Sequence, residues 1–345
     1  PVRMMLLPSH WFRSYLRAMP KERISGIPPG SQDLLSGDVR RRRRVQSTWF
    51  ALAEARGYEE VIPPTFEYEE VFTLGGGPDL TSRLIRFVDR DGRLVALRAD
   101  FTSSIARIAA TRLSGAPLPL RLSYAGKVYR QAMEGGAPRR EVFQLGAELI
   151  GDGTPEADVE ILRLVIDTLS GLGVAEFQIN LGEMRFIQPL LSELDAERAE
   201  IAREAIDRKD RATLAGIARG GDLPDGVPDA LQQLPELVGR AEVLSRAAEL
   251  AVSDEARASV ERLSRIDSLL TSAERARIVY DLGEIRGLGY YTGIRFEIFV
   301  AGYGRAVGSG GRYDELLALY GFDAPAVGFA LETDALAELL ARAEI

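Results

Sequence analysis

A chain of 345 residues, 46% hydrophobic and 27% charged, is long enough to bury substantial cores and has the composition of an ordinary globular protein. Its net charge of -8 advertises no broad basic surface, which argues against nucleic acid as the main partner. The lack of cysteine excludes disulfides, thiolate catalysis and cysteine-ligated zinc, and a single histidine, His10, leaves imidazole catalysis and multi-histidine metal sites without material. The MMLLP start is too short and wrongly flanked for a signal peptide, and no apolar run approaches the roughly 18 residues of a membrane helix. The expectation is a cytoplasmic protein that uses no cofactor, metal or membrane.

Residues 1 to about 30 hold Pro8, Pro20, Pro28, Pro29 and Gly30 and form an irregular lead-in. A helix follows to about Arg56, with Val45, Trp49, Leu52 and Ala53 on a buried stripe. The run Arg40 to Arg44 fans around the start of that helix, either as a solvated face or as an anchor for an acidic partner or RNA. GYEEVIPP then gives a strand stopped at Pro63 and Pro64, and proline confines such a strand to a sheet edge or a terminus. LVALRADFTSSIARIAATRL is a short strand and a helix with Phe101, Ile105, Ile108, Ala109 and Arg112 on one stripe. Asp100 and Thr102 stand at the junction. They are an ordinary helix cap, or Asp100 receives the ammonium group of an amino acid.

Two strands follow around a Gly-Pro loop. In the second, Phe143, Leu145, Ala147 and Leu149 face a core while Gln144, Gly146 and Glu148 face the other way. That second face is either exposed sheet or a recess, open at Gly146, for a ligand carrying N–H donors. A helix from about Pro155 to Leu172 carries Val159, Leu162, Val165, Ile166 and Leu169, and AEFQINLG returns to the sheet. Residues 184–276 change character to leucine and alanine at helical spacing, with interspersed acids and bases that mark solvated helix faces.

Ile285 to Leu316 is the densest stretch. A strand with Ile294, Phe296, Ile298 and Val300 on one face is entered through a corner holding Arg286, Tyr290 and Tyr291 and left through a glycine-rich turn. A guanidinium fork, two ring faces and the close backbone approach allowed by Gly287, Gly289 and Gly293 describe a small-ligand pocket. APAVGFALETDALAELLARAEI ends the chain as a strand and a helix.

RGLGYYTGIRFE followed by GSGGRYDEL resembles the paired histidine-specific signatures of the class II histidyl-tRNA synthetase family, and FQLGAELIG is similar to the histidyl form of motif 2. The resemblance spans nearly the whole chain. It implies an α+β fold, a class II aminoacyl-tRNA synthetase-like antiparallel sheet flanked by helices over 1–183 and 277–345, with a helical insertion at 184–276. GYEEVIPPTFEYEEVF falls on motif 1 with Pro64 at the motif proline, which implies self-association through that edge. RADFT stands where the family has RPEGT, and Arg130 falls on the motif 2 arginine that meets the substrate carboxylate and activated phosphate. The histidine-binding set so implied is Asp100, Thr102, Arg130, Gln144, Glu148, Arg286, Tyr290 and Tyr291.

The nucleotide machinery departs from the family pattern. Ala132 replaces an acid that helps hold the nucleotide, MEGGAPRR lacks the usual loop sequence, and motif 3 has Ala335 at its arginine with Glu332 and Asp334 alongside. Acids near a triphosphate oppose its binding. The sequence stops where a synthetase would continue into an anticodon-binding domain. A kept histidine pocket beside lost nucleotide and tRNA machinery is similar to the regulatory-subunit family of ATP phosphoribosyltransferase, which has no catalytic residues of its own. That resemblance implies a short-form catalytic subunit as partner and L-histidine as effector, in the first step of histidine biosynthesis. A minimal adenylating enzyme with a rebuilt nucleotide site is the alternative, and Arg286, similar to the synthetase's catalytic arginine, fits it.

Overall fold

The structure, a computed structural model, describes residues 26–131, 139–220, 223–284 and 289–343. Twelve strands are seen: β1 (Glu59–Glu60), β2 (Phe66–Tyr68), β3 (Arg86–Val88), β4 (Leu94–Leu97), β5 (Leu120–Tyr129), β6 (Glu141–Ile150), β7 (Phe177–Glu183), β8 (Val238–Gly239), β9 (Ile278–Asp281), β10 (Ile294–Val300), β11 (Gly308–Arg312) and β12 (Ala326–Glu332). Outside residues 184–276 the helices are α1 (Ser36–Glu54), α2 (Glu70–Thr73), α3 (Gly77–Ser82), α4 (Thr102–Thr111) and α5 (Pro155–Gly171). Within that segment lie α6 (Met184–Ser192), α7 (Ala196–Asp207), α8 (Arg211–Arg219), α9 (Val227–Gln233), α10 (Glu242–Glu249), α11 (Asp254–Leu269) and α12 (Ser272–Arg275), and α13 (Thr333–Ala343) follows β12.

Nine strands form one sheet in the order β1-β5-β6-β12-β11-β10-β7-β9-β8, and β2-β4-β3 form a second. The large sheet is antiparallel except for β1–β5 and β7–β9, so the expected antiparallel architecture holds with two parallel exceptions. β1 is the sheet edge, and it is short because Pro63 and Pro64 have no N–H to continue the ladder. The stripes on α1 and α5 are buried as their spacing predicts, Val45, Trp49 and Ala53 on one and Val159, Leu162, Val165 and Leu169 on the other. Trp49 stands edge-on to Phe329 and donates its indole N–H to the Tyr124 carbonyl, which fixes α1 against β5 and β12. On α4 the stripe is narrower than predicted. Arg112 is exposed, because α4 ends at Thr111 and its side chain falls beyond the packed turn.

Five of the seven helices described in residues 184–276 begin where a side chain accepts an otherwise orphaned helix-end N–H: Glu183 for α6, Asp195 for α7, Asp210 for α8, Ser253 for α11 and Thr271 for α12. Their buried leucines and alanines share a continuous core with α5, β7 and β9.

Candidate ligand-binding site

A cavity of about 420 Å³ opens over β6, β10, β11 and β12. Asp100, Thr102, Arg130, Gln144, Tyr290 and Tyr291 all line it, so six of the eight residues expected from sequence converge. Arg286 lies outside the described residues. The period-two pattern of β10 explains the floor: Ile294, Phe296, Ile298 and Val300 are buried in the core, and the alternate face turns Arg295 and Glu297 into the cavity.

Glu148 sits behind this lining. Its carboxylate accepts the Thr102 hydroxyl at 2.8 Å, the Tyr124 hydroxyl at 3.4 Å and the Tyr313 hydroxyl. Burial pushes its pKa up to about 8, and the three hydroxyl donors act against that rise. Gly328 is glycine because a Cβ there would meet the Glu148 carboxylate at 1.7 Å. The recess expected at Gly146 is occupied. Tyr124 fills it, with its hydroxyl 2.5 Å from where a Cβ would be and hydrogen-bonded to the Phe329 carbonyl. The missing side chain thus makes room for a neighbouring strand's phenol rather than for a ligand.

Asp100 fulfils the expected cap and also stands at the cavity. Its carboxylate accepts the Ser103 N–H at 2.9 Å and hydroxyl at 3.2 Å, capping α4, while the residue also lines the cavity. Burial raises its pKa, and the Ser103 hydrogen bonds and Arg130 oppose the shift. Arg98, in the same RADFT segment, is spent on structure: it donates to the carbonyls of Pro63, Pro64 and Lys127, tying the motif 1 prolines to the start of the cavity. Tyr290 packs between Tyr291 and Tyr313, at ring separations of 4.9 and 5.6 Å. Tyr291 lies against Gly311, where any Cβ would strike its ring.

The motif 3 residues correct the expectation that acids stand there without cations, Glu332 at the cavity and Asp334 and Glu338 outside its lining. Glu332 is paired with Arg305 at 2.5 Å, Asp334 with Arg42 at 2.5 Å, and Glu338 with Arg139. Arg42 belongs to the run Arg40 to Arg44, turned inward over the Phe143 ring. These arginines come from sequence positions far from motif 3, so a gapless local reading could not place them. The acids of motif 3 are internal counterions.

A second polar cluster lies behind β11. Asp158 on α5, fully buried, accepts from Arg312 and from Arg262 on α11, and Arg312 also reaches Asp314. Burial alone would lower the Arg312 pKa; Asp158 and Asp314 more than offset it and hold it above its usual value. Close by, Glu183 is buried with one carboxylate oxygen unpartnered, and burial pushes its pKa up to about 8. A carboxyl raised on folding binds more protons folded than unfolded, so its contribution is fully present below the usual glutamate range and is lost as pH rises toward 8. Glu183→Gln is therefore expected to flatten the decline of stability with pH by up to about 1.4 kcal/mol per pH unit. Urea denaturation of both proteins at mildly acidic and mildly alkaline pH checks this; parallel declines would refute it.

Among the described residues no helix is long and apolar enough to cross a membrane, and no cluster of acidic or histidine side chains has the form of a metal site.

The antiparallel sheet with a ligand cavity walled by motif 2 and the glycine-rich strands defines a class II aminoacyl-tRNA synthetase-like protein, and the histidyl-tRNA synthetase family model matches residues 30–336. The similarity is stronger to one branch. An ATP phosphoribosyltransferase regulatory subunit of Geobacter sulfurreducens is 41% identical over 318 residues, covering 91% of this chain and 73% of that relative. Another of the same description, from Syntrophotalea carbinolica, is 40% identical over 308 residues, covering 88% of this chain and 72% of its own length. A solved structure from Bacillus halodurans, described as an ATP phosphoribosyltransferase regulatory subunit/histidyl-tRNA synthetase, superimposes with a TM-score of 0.85 at 30% identity, over 93% of this chain and 84% of that one. The chain belongs to the ATP phosphoribosyltransferase regulatory subunit family.

Two features of the cavity escaped the sequence reading. Arg83, at the end of α3, lines it beside Arg130, and Tyr313 holds Glu148 from the turn after β11. Arg83 follows no periodic pattern, whereas Tyr313 stood within GSGGRYDEL and could have been singled out.

Proposed function

We propose that this chain is a non-catalytic subunit that completes a short-form catalytic ATP phosphoribosyltransferase and carries its histidine feedback in the first step of histidine biosynthesis. The observation that carries the reading is the pairing of a polar cavity lined by Asp100, Gln144 and Arg130 with motif 3 acids that are already matched by Arg305, Arg42 and Arg139. Histidine would lie with its ammonium toward Asp100, its imidazole toward Gln144 and the Tyr290–Tyr291 corner, and its carboxylate toward Arg130. Glu148 would act through the hydroxyls of Thr102 and Tyr313, which it orients. Inhibition requires only that histidine favour one arrangement of the assembly, and a coupling of about 1 to 3 kcal/mol is ordinary.

Self-association through the motif 1 edge belongs to the same proposal. Ile62, just after β1, is exposed, and on one face of the small sheet Phe66 and Phe87 are exposed and edge-on at 6.0 Å, an apolar patch. One mixing experiment tests the whole reading. Size-exclusion chromatography should give an oligomer of the subunit alone and a larger complex with the catalytic chain, which gains phosphoribosyltransferase activity on mixing. Robust histidine-dependent ATP–pyrophosphate exchange by the isolated chain would replace this reading with the adenylating enzyme.

A further inference from the structure

We infer that Arg83 and Arg130 form a two-guanidinium clamp for a single oxyanion, filled by the carboxylate of an α-amino acid. The assignment of the anion deepens the amino-acid reading above and rests on it; the clamp itself does not. The two arginines enter the cavity from different elements, Arg83 from the end of α3 and Arg130 from the end of β5. Their backbones are tied together, since the Arg83 carbonyl accepts the N–H of Gln131 at 2.8 Å. Among the described residues the Arg130 side chain donates its Nε to the Ala99 carbonyl at 2.8 Å, which orients the plane and leaves the outer edge of its fork for a ligand. Arg83 has a buried Nε with no hydrogen-bond partner.

The other described arginines of the cavity are satisfied internally, Arg295 by Glu284 and Glu297, Arg305 by Glu332. Arg83 and Arg130 have no such pairing among the described residues, and the Arg130 charge disfavours that of Arg83. Burial, and then the Arg130 charge, lower the Arg83 pKa, with Asp79 acting in the opposite sense. An oxyanion between the two forks removes that repulsion. The size and sign of the anion follow from Asp100, which adjoins the Ala99 carbonyl that Arg130 holds. Asp100 attracts an ammonium and repels further negative charge, so a ligand with a carboxylate and an ammonium on one carbon fits, and a polyphosphate meets like charge.

The test is calorimetry on the full chain and its Arg83→Gln and Arg83→Lys variants, with L-histidine, histamine and pyrophosphate as probes. Arg83→Gln is expected to weaken histidine ten- to hundredfold while histamine, which lacks the carboxylate, stays within twofold of wild type; Arg83→Lys falls between. The unchanged histamine affinity also reports an intact fold. If histidine fails to bind wild type but pyrophosphate binds in an Arg83-dependent manner, the clamp stands and the amino-acid reading falls. Histidine and pyrophosphate affinities within twofold of wild type in Arg83→Gln, or no binding of either anion to wild type, overturn the clamp.

Discussion

Asp158→Ala is expected to lower stability by about 3–5 kcal/mol, the cost typical of breaking a buried ion pair from one side. Asp158 accepts the Arg312 Nε at 2.8 Å on one oxygen and the Arg262 Nε at 2.8 Å on the other. Its removal leaves two arginines facing each other, one of them Arg312 at 1% exposure. Remaining contacts to the carbonyls of Gly153 and Thr154 and to Asp314 satisfy donors without restoring the lost charge. Urea denaturation should show a lower midpoint with an unchanged slope. A loss under about 1 kcal/mol would show that water reaches this cluster and screens it as at a surface. Because Arg312 precedes Tyr313, which holds Glu148, the same variant should also weaken histidine binding.

Asp100→Asn is expected to weaken histidine about tenfold or more while leaving the fold nearly intact. Asparagine caps a helix about as well as aspartate, so the hydrogen bond from the Ser103 N–H survives and stability changes little. What disappears is the charge opposite a ligand ammonium, and a hydrogen bond to a charged group contributes about 1.5–3 kcal/mol. Calorimetry on the subunit, and histidine inhibition of the complex formed with its catalytic partner, should shift in parallel. Undiminished affinity would place the ammonium elsewhere.

Much of this architecture could be read from residue order because it is periodic. The alternation on β10 and β6 and the stripes on α1 and α5 each put a few named side chains on one face, and the structure buries Ile294, Leu145, Trp49 and Leu162 accordingly. The signatures around Gln144 and Tyr291 placed the cavity because the strands that carry or follow them belong to one sheet. What escaped was long-range pairing. Nothing local links Arg42 to Asp334, 292 positions away, or tells that Tyr124 will occupy the space above Gly146. The cations at the nucleotide end were therefore missed, and a glycine that accommodates a neighbour was read as an opening.

The ion pairs on Glu332, Asp334 and Glu338 are built into the chain itself. Each carboxylate is covalently part of the chain, at an effective local concentration on the order of millimolar or above that does not vary with metabolism. A free adenylate arriving at Arg305 or Arg42 must displace an acid that never diffuses away, and it gains only the difference between two similar contacts. Arg305 and Arg42 are thereby held by partners within the chain, whichever small anions surround it.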